Sequence, residues 1–384
     1  MNWKQMRTVA TAVGVVALMS LLLAATATAK FRGAPNSKLQ RSITAIVESP
    51  AGPPGISILV DRGPRTEFLR AGFADAGARR GASPVDAFRI ASVAKAFNAY
   101  IAVKLADEKA LFMDTTLEDS ISGVLPAAEG VKLRELLQHT SGIPEYIRTK
   151  AFGEELNADP TRYFSPIELT EFVRDEPLEF APGSRYHYSD TDNIAAALME
   201  EEASGLPYDQ LLARRVFKPL KMRDSSLPIT PKMPRPFIHG YDVEPGEKPE
   251  DVSELLNPAG AWASGGIVST PLDLSRFVRR YVPTVLEVAR DLEGGAFRPG
   301  ASSPPGPGKN SASIGIFRYR TSCGTVYGHT GSFPGYRVFL AASADGKRSI
   351  VFVANSQIVP GQGSQLISKA ITRVQKQAVC RALS

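Results

Sequence analysis

Strand-like segments crowd both ends of this 384-residue chain and helical ones fill its middle, so a stable fold must join the two ends in one sheet. Near the N-terminus, residues 55–60 and 67–70 flank an Asp61-Arg-Gly63 turn, the pattern of a hairpin. Toward the other end, residues 312–320, 337–342 and 350–354 read as strands, with Asp345-Gly346 turning between the last two. The tail, 366–382, sets Ile367, Ala370, Ile371, Val374 and Ala378 at helical spacing. In between, helices are predicted over 95–110, 133–139, 168–174, 193–202, 208–216 and 271–281, the last opening on Pro271 behind Thr270 as cap. The Gly- and Pro-rich run 294–310 is expected to be a loop. The expectation is an α/β fold: an antiparallel sheet from both chain ends, flanked by helices, with a mostly helical subdomain inserted at roughly 110–260.

Hydrophobic residues are 43% and charged residues 22% of the chain, which places its bulk among globular proteins. The net charge of +6 is dispersed, and its densest points, Arg214-Arg215 and Arg279-Arg280, are isolated pairs. No basic run alternates with aromatics, so nucleic-acid binding is not expected. A cationic surface on an exported protein also suits an anionic cell wall. Export is expected from the N-terminus, where Lys4 and Arg7 precede an apolar stretch from about Val9 to Ala25 and the small residues Ala27-Thr28-Ala29. That layout reads as a secretory signal peptide over 1–29, cleaved after Ala29 or after Ala27, and an uncleaved anchor is the alternative. Residues 30–44 read as a flexible polar lead-in to a catalytic domain at 45–384. In an oxidising compartment the only two cysteines, Cys323 and Cys380, favour one disulfide, with two free thiols as the alternative.

Three local motifs carry chemistry. In Phe88-Arg-Ile-Ala-Ser92-Val-Ala-Lys95, serine and lysine three apart at a helix start share one face. Serine is a weak nucleophile without a base in reach, and a lysine in apolar surroundings can serve as one. Ser184-Arg-Tyr-His-Tyr188-Ser189-Asp190 follows a Pro-Gly turn and precedes a helix, and Tyr188 can relay a proton there or be a core tyrosine. In Tyr327-Gly-His329-Thr330-Gly331-Ser332, a polar edge strand would leave backbone N–H groups free to meet an oxyanion, or the run is a turn of small residues. The four histidines (His139, His187, His239, His329) show no ligand spacing, so no metal is expected.

Taken in this order, the motifs resemble the serine β-lactamase and D,D-peptidase superfamily, its class C-like branch above all. Leu137-Gln-His-Thr-Ser-Gly142 and Trp262-Ala-Ser-Gly-Gly-Ile-Val-Ser-Thr270 add to that resemblance, which covers roughly residues 45–382. Gly328-His-Thr-Gly331, Gly335-Tyr336 and the placement of Cys323 and Cys380 are similar to secreted D-alanyl-D-alanine carboxypeptidases of actinomycetes. The resemblance implies a penicillin-sensitive carboxypeptidase that removes the terminal D-alanine of cell-wall stem peptides, with no cofactor. It implies Ser92 as nucleophile, Lys95 as its base, Tyr188 as proton shuttle, and Ser92 and Ser332 as oxyanion donors, with His329, Thr330 and Gly331 on the substrate strand. Arg318 or Arg320, two apart on one strand face, are the candidates for holding the substrate carboxylate. Trp262 is expected on a cleft wall or at a subdomain contact.

One position departs from the pattern: Asp190 stands where the family has asparagine. Asparagine both accepts and donates, whereas an ionised aspartate only accepts and favours a charged Lys95. An esterase or D-amino-acid amidase on the same scaffold is the alternative, favoured if Arg318 or Arg320 proves remote from the serine; behind it stand a β-lactamase and an inactive penicillin-binding relative, for which Asp190 is the one argument. Oligomeric state is open, with a monomer as the working expectation.

Overall fold

The computed structural model describes residues 37–244, 246–292, 297–358 and 365–384. The expected signal peptide and the first part of the lead-in lie outside the described residues. The rest of the lead-in is not irregular, as expected, but helical. Ser37 caps α1 (Lys38–Val47) by accepting the Gln40 N–H, and Leu39, Ile43 and Ile46 are buried. The helical spacing of those three apolar residues outweighs the polar composition around them.

β1 (Gly55–Asp61) and β2 (Thr66–Gly72) form the expected hairpin, and Gly63 at its turn holds φ +81° while donating to Asp61 Oδ1. After the helical middle, which includes α2 (Ala94–Asp107), α3 (Thr191–Ser204) and α4 (Pro271–Asp291), the chain returns to strands. These are β3 (Lys309–Ser313), β4 (Ile316–Thr321), β5 (Gly324–Phe333), β6 (Tyr336–Ala342) and β7 (Ser349–Ala354), and α5 (Gln365–Leu383) follows. They complete one antiparallel sheet in the order β2-β1-β7-β6-β5-β4-β3. Strands from the two ends of the chain thus lie side by side, second and third in the sheet, where Ile56 pairs with Ala354.

The strand alternation sorts side chains into two cores. Ile58, Phe339 and Phe352 face α1 and α5, where Ile371, Val374 and Ala378 are buried with them. Leu59, Val338, Leu340 and Val353 face the helical middle, packed with α2 and α4. Period-2 alternation under a two-sided cover is what makes each strand serve both cores.

Two elements differ from expectation. The single strand expected over 312–320 is a hairpin, because Gly315 adopts φ +54° and a Cβ there would collide with Ala99 of α2. α4 runs on to Asp291 through Pro283, ten residues past the expected end. The Arg279 carbonyl that Pro283 cannot bond packs against Gly346. Cys323 and Cys380 form a disulfide that ties the β4–β5 turn to α5.

Candidate active site

Ser92 sits in a short turn, residues 91–93, that leads directly into α2. Ala91, just before it, holds φ +53°, a left-handed conformation that costs an alanine about 1–2 kcal/mol. The turn is kept in place by β5. A Cβ on Gly331 would come within 2.5 Å of Ile90 O and 3.3 Å of the Ser92 nitrogen, so only glycine allows this approach. β5 is not an edge strand, as expected, but third from the β3 edge. Its pairing with β4 ends at Gly328, however, while pairing with β6 continues to Phe333. Residues 329–333 are therefore unpaired on the side that faces Ser92, which gives an interior strand an edge-like end.

Lys95, one helical turn on, is fully buried. Its Nζ lies 3.4 Å from Ser92 Oγ, donates to Ser264 O at 2.9 Å and ion-pairs with Asp190 Oδ1. The Tyr188 ring is 5.0 Å from the same Nζ, and its buried hydroxyl lacks a partner of full hydrogen-bond geometry. Burial pushes that hydroxyl well above the usual phenol value and Asp190 adds to this, while the neighbouring Ser92 hydroxyl pulls it back.

Three residues outside the three motifs belong to this cluster. Glu145 Oε2 accepts the Asp190 N–H at 2.6 Å, and burial, reinforced by Asp190, pushes the Glu145 carboxyl up to about 8. His139 faces Asp192 at 3.2 Å and packs its ring 4.5 Å from that of Tyr188. Burial pushes His139 well below the ordinary imidazole value and Asp192 well above the carboxylate value, and the pair braces the Tyr188 ring. No local pattern marks Glu145 or Asp192, since their roles exist only once the 139–148 loop lies against the start of α3.

His329, Thr330 and Ser332 have different surroundings. His329 is fully buried, its Nδ1 is 2.5 Å from Thr330 O, and burial holds it down at about 3. Thr330 Oγ1 donates to Pro304 O. Ser332 lines a cleft of about 230 Å³ together with Ser92, Asp190 and Ser264. Its apolar side is made by Tyr146, Ile147, Phe152, Leu156 and Phe333. Neither candidate arginine is on that wall. Arg318 lies 4.6 Å over the Phe297 ring and bonds Ser311 Oγ, and Arg320 is exposed. Trp262 packs against Tyr208, 5.2 Å between rings, away from the cleft, while its neighbours Ala261, Ser264 and Gly265 line it.

A seven-stranded antiparallel sheet flanked by helices, with a serine beside a buried lysine where a helix meets the sheet, defines a serine hydrolase of the penicillin-recognising type. The chain belongs to the Beta-lactamase family, whose model matches residues 43–366. It is similar to penicillin-binding protein 4* of Bacillus subtilis, 24% identical over 74% of this chain and 64% of that protein. It is also similar to the D-alanyl-D-alanine-carboxypeptidase/endopeptidase AmpH of Escherichia coli, 30% identical over 50% of this chain and 48% of that one. The chain thus spans about half to two-thirds of the length of these relatives. A D-stereospecific amidohydrolase from Streptomyces sp. superimposes with TM-score 0.70 at 26% identity, over 87% of this chain and 96% of that one.

Proposed function

We propose that the protein hydrolyses small D-aminoacyl amides through an acyl-enzyme on Ser92, rather than trimming D-alanine from a peptide carboxyl end. The composition of the cleft carries this reading. A carboxypeptidase needs a cation for the terminal carboxylate. Among the described residues of the wall none is basic; Arg318 stacks on Phe297 and Arg320 is exposed. The similarity to a D-stereospecific amidohydrolase supports the same side. The cleft exceeds the ~150 Å³ that takes a benzene ring, so its apolar side suits an aromatic or branched side chain.

In this mechanism Ser92 Oγ adds to the amide carbon and its proton passes to the neutral form of Lys95. The Ser92 and Ser332 N–H groups hold the resulting oxyanion. The C–N bond then breaks as Tyr188 relays a proton to the nitrogen, and ammonia leaves. Water attacks the acyl ester and returns its proton through the same groups, releasing the D-amino acid and free Ser92. The test is ammonia release from D-phenylalanine amide by the purified protein beside Ser92→Ala, with D-alanine release from diacetyl-Lys-D-Ala-D-Ala in parallel. Ser92-dependent ammonia release is expected; D-alanine release alone would return the protein to the carboxypeptidase reading.

A further inference from the structure

Asp190 is the one charged side chain on the cleft wall among the described residues, and it is 15% exposed beside the nucleophile. Lys95 engages Oδ1; Oδ2 has no donor among the described residues. Behind it, Glu145 accepts the Asp190 backbone N–H, and the ion pair with Lys95 holds the carboxylate. The Tyr188 hydroxyl is buried beside the Ser92 hydroxyl, with no other partner among the described residues. A carboxylate at this place accepts hydrogen bonds and cannot give one. It therefore has nothing to offer the carbonyl of an N-acylated substrate and much to offer an ammonium group.

We propose that Asp190 is a specificity-determining residue that binds the free, protonated α-amino group of the substrate, so that the protein takes primary D-amino-acid amides and excludes their N-acylated forms. The assignment rests on the amide-hydrolase reading above and deepens it. The attacked carbon is one bond from the carbon bearing the amine, which fits a carboxylate beside Ser92.

The experiment compares kcat/KM for D-phenylalanine amide and N-acetyl-D-phenylalanine amide in the wild type and Asp190→Asn. The wild type should favour the free amine, and the substitution should lower that ratio by about 10- to 100-fold, the worth of one charged hydrogen bond. An unchanged ratio, or an equal loss on both substrates, overturns the assignment. Binding of phenethylammonium and of 3-phenylpropanoate to Ser92→Ala by calorimetry needs no turnover, so it stays readable if the amide-hydrolase reading fails. The cation should bind and the carboxylate should not, and the reverse order overturns the assignment on its own.

Discussion

Gly331→Ala inserts a single methyl at the contact between β5 and the Ser92 turn. That methyl would stand 2.5 Å from Ile90 O and 3.0 Å from Ala91 Cβ. Carbon and carbonyl oxygen accept about 3.3 Å, so the strand and the turn must separate by about 0.8 Å. Both sides of the contact are backbone, so no flexible side-chain end can absorb the shift. The separation carries the Ser332 N–H away from an oxyanion on Ser92, and losing one such donor costs about 10²- to 10³-fold in kcat. Overpacking costs the fold about 1–3 kcal/mol, little enough for the large two-sided core to tolerate. The assay is steady-state kcat and KM on D-phenylalanine amide beside the urea midpoint. A folded Gly331→Ala protein with kcat within threefold of wild type would refute the reasoning, because the oxyanion N–H groups would then not depend on this approach.

Glu145→Gln should change how stability depends on pH. The folded Glu145 keeps its proton up to about 8 while the unfolded chain releases it near the ordinary value of 4.5. Its contribution is thus fully present below about pH 4.5 and lost as pH rises toward 8, at no more than ~1.4 kcal/mol per pH unit. Urea midpoints at pH 5, 6.5 and 8 should fall more steeply in the wild type than in Glu145→Gln, and parallel curves would remove the buried proton. Replacing Cys323 and Cys380 together by alanine opens a loop of 57-residue separation and should cost about 4 kcal/mol. Urea unfolding measures this, and an unchanged midpoint contradicts it. Arg318→Ala should leave amide kcat/KM within about twofold, as expected of a side chain stacked on Phe297 outside the cleft; a hundredfold loss would restore that arginine to the site.

Periodicity and turn chemistry made most of the fold legible. The Asp61–Gly63 hairpin, the α5 face of Ile367, Ile371, Val374 and Ala378, and the strands of β6 and β7 are local patterns, and local patterns survive burial. Expectation failed where distant contacts overrode local preference. Gly315 breaks a strand because α2 packs against it, and Pro283 stays inside α4 because its freed carbonyl packs at the Gly346 turn. Helical amphipathicity in residues 38–47 pays out only against a sheet that does not exist until both chain ends meet.

The site divides in the same way. By itself the sequence determined which reactive groups are present: Ser92 and Lys95 one helical turn apart, Tyr188 and Asp190 at the start of a helix, and a glycine between Thr330 and Ser332. Covalent spacing within a helix or turn is enough for that. Only the tertiary structure decided that Asp190 meets Lys95 across 95 residues, that Glu145 stands behind it, and that Arg318 and Arg320 lie off the wall of the cleft. Those outcomes depend on how sheet and helical region close on each other, and no short-range pattern encodes a distance between segments so far apart in the chain.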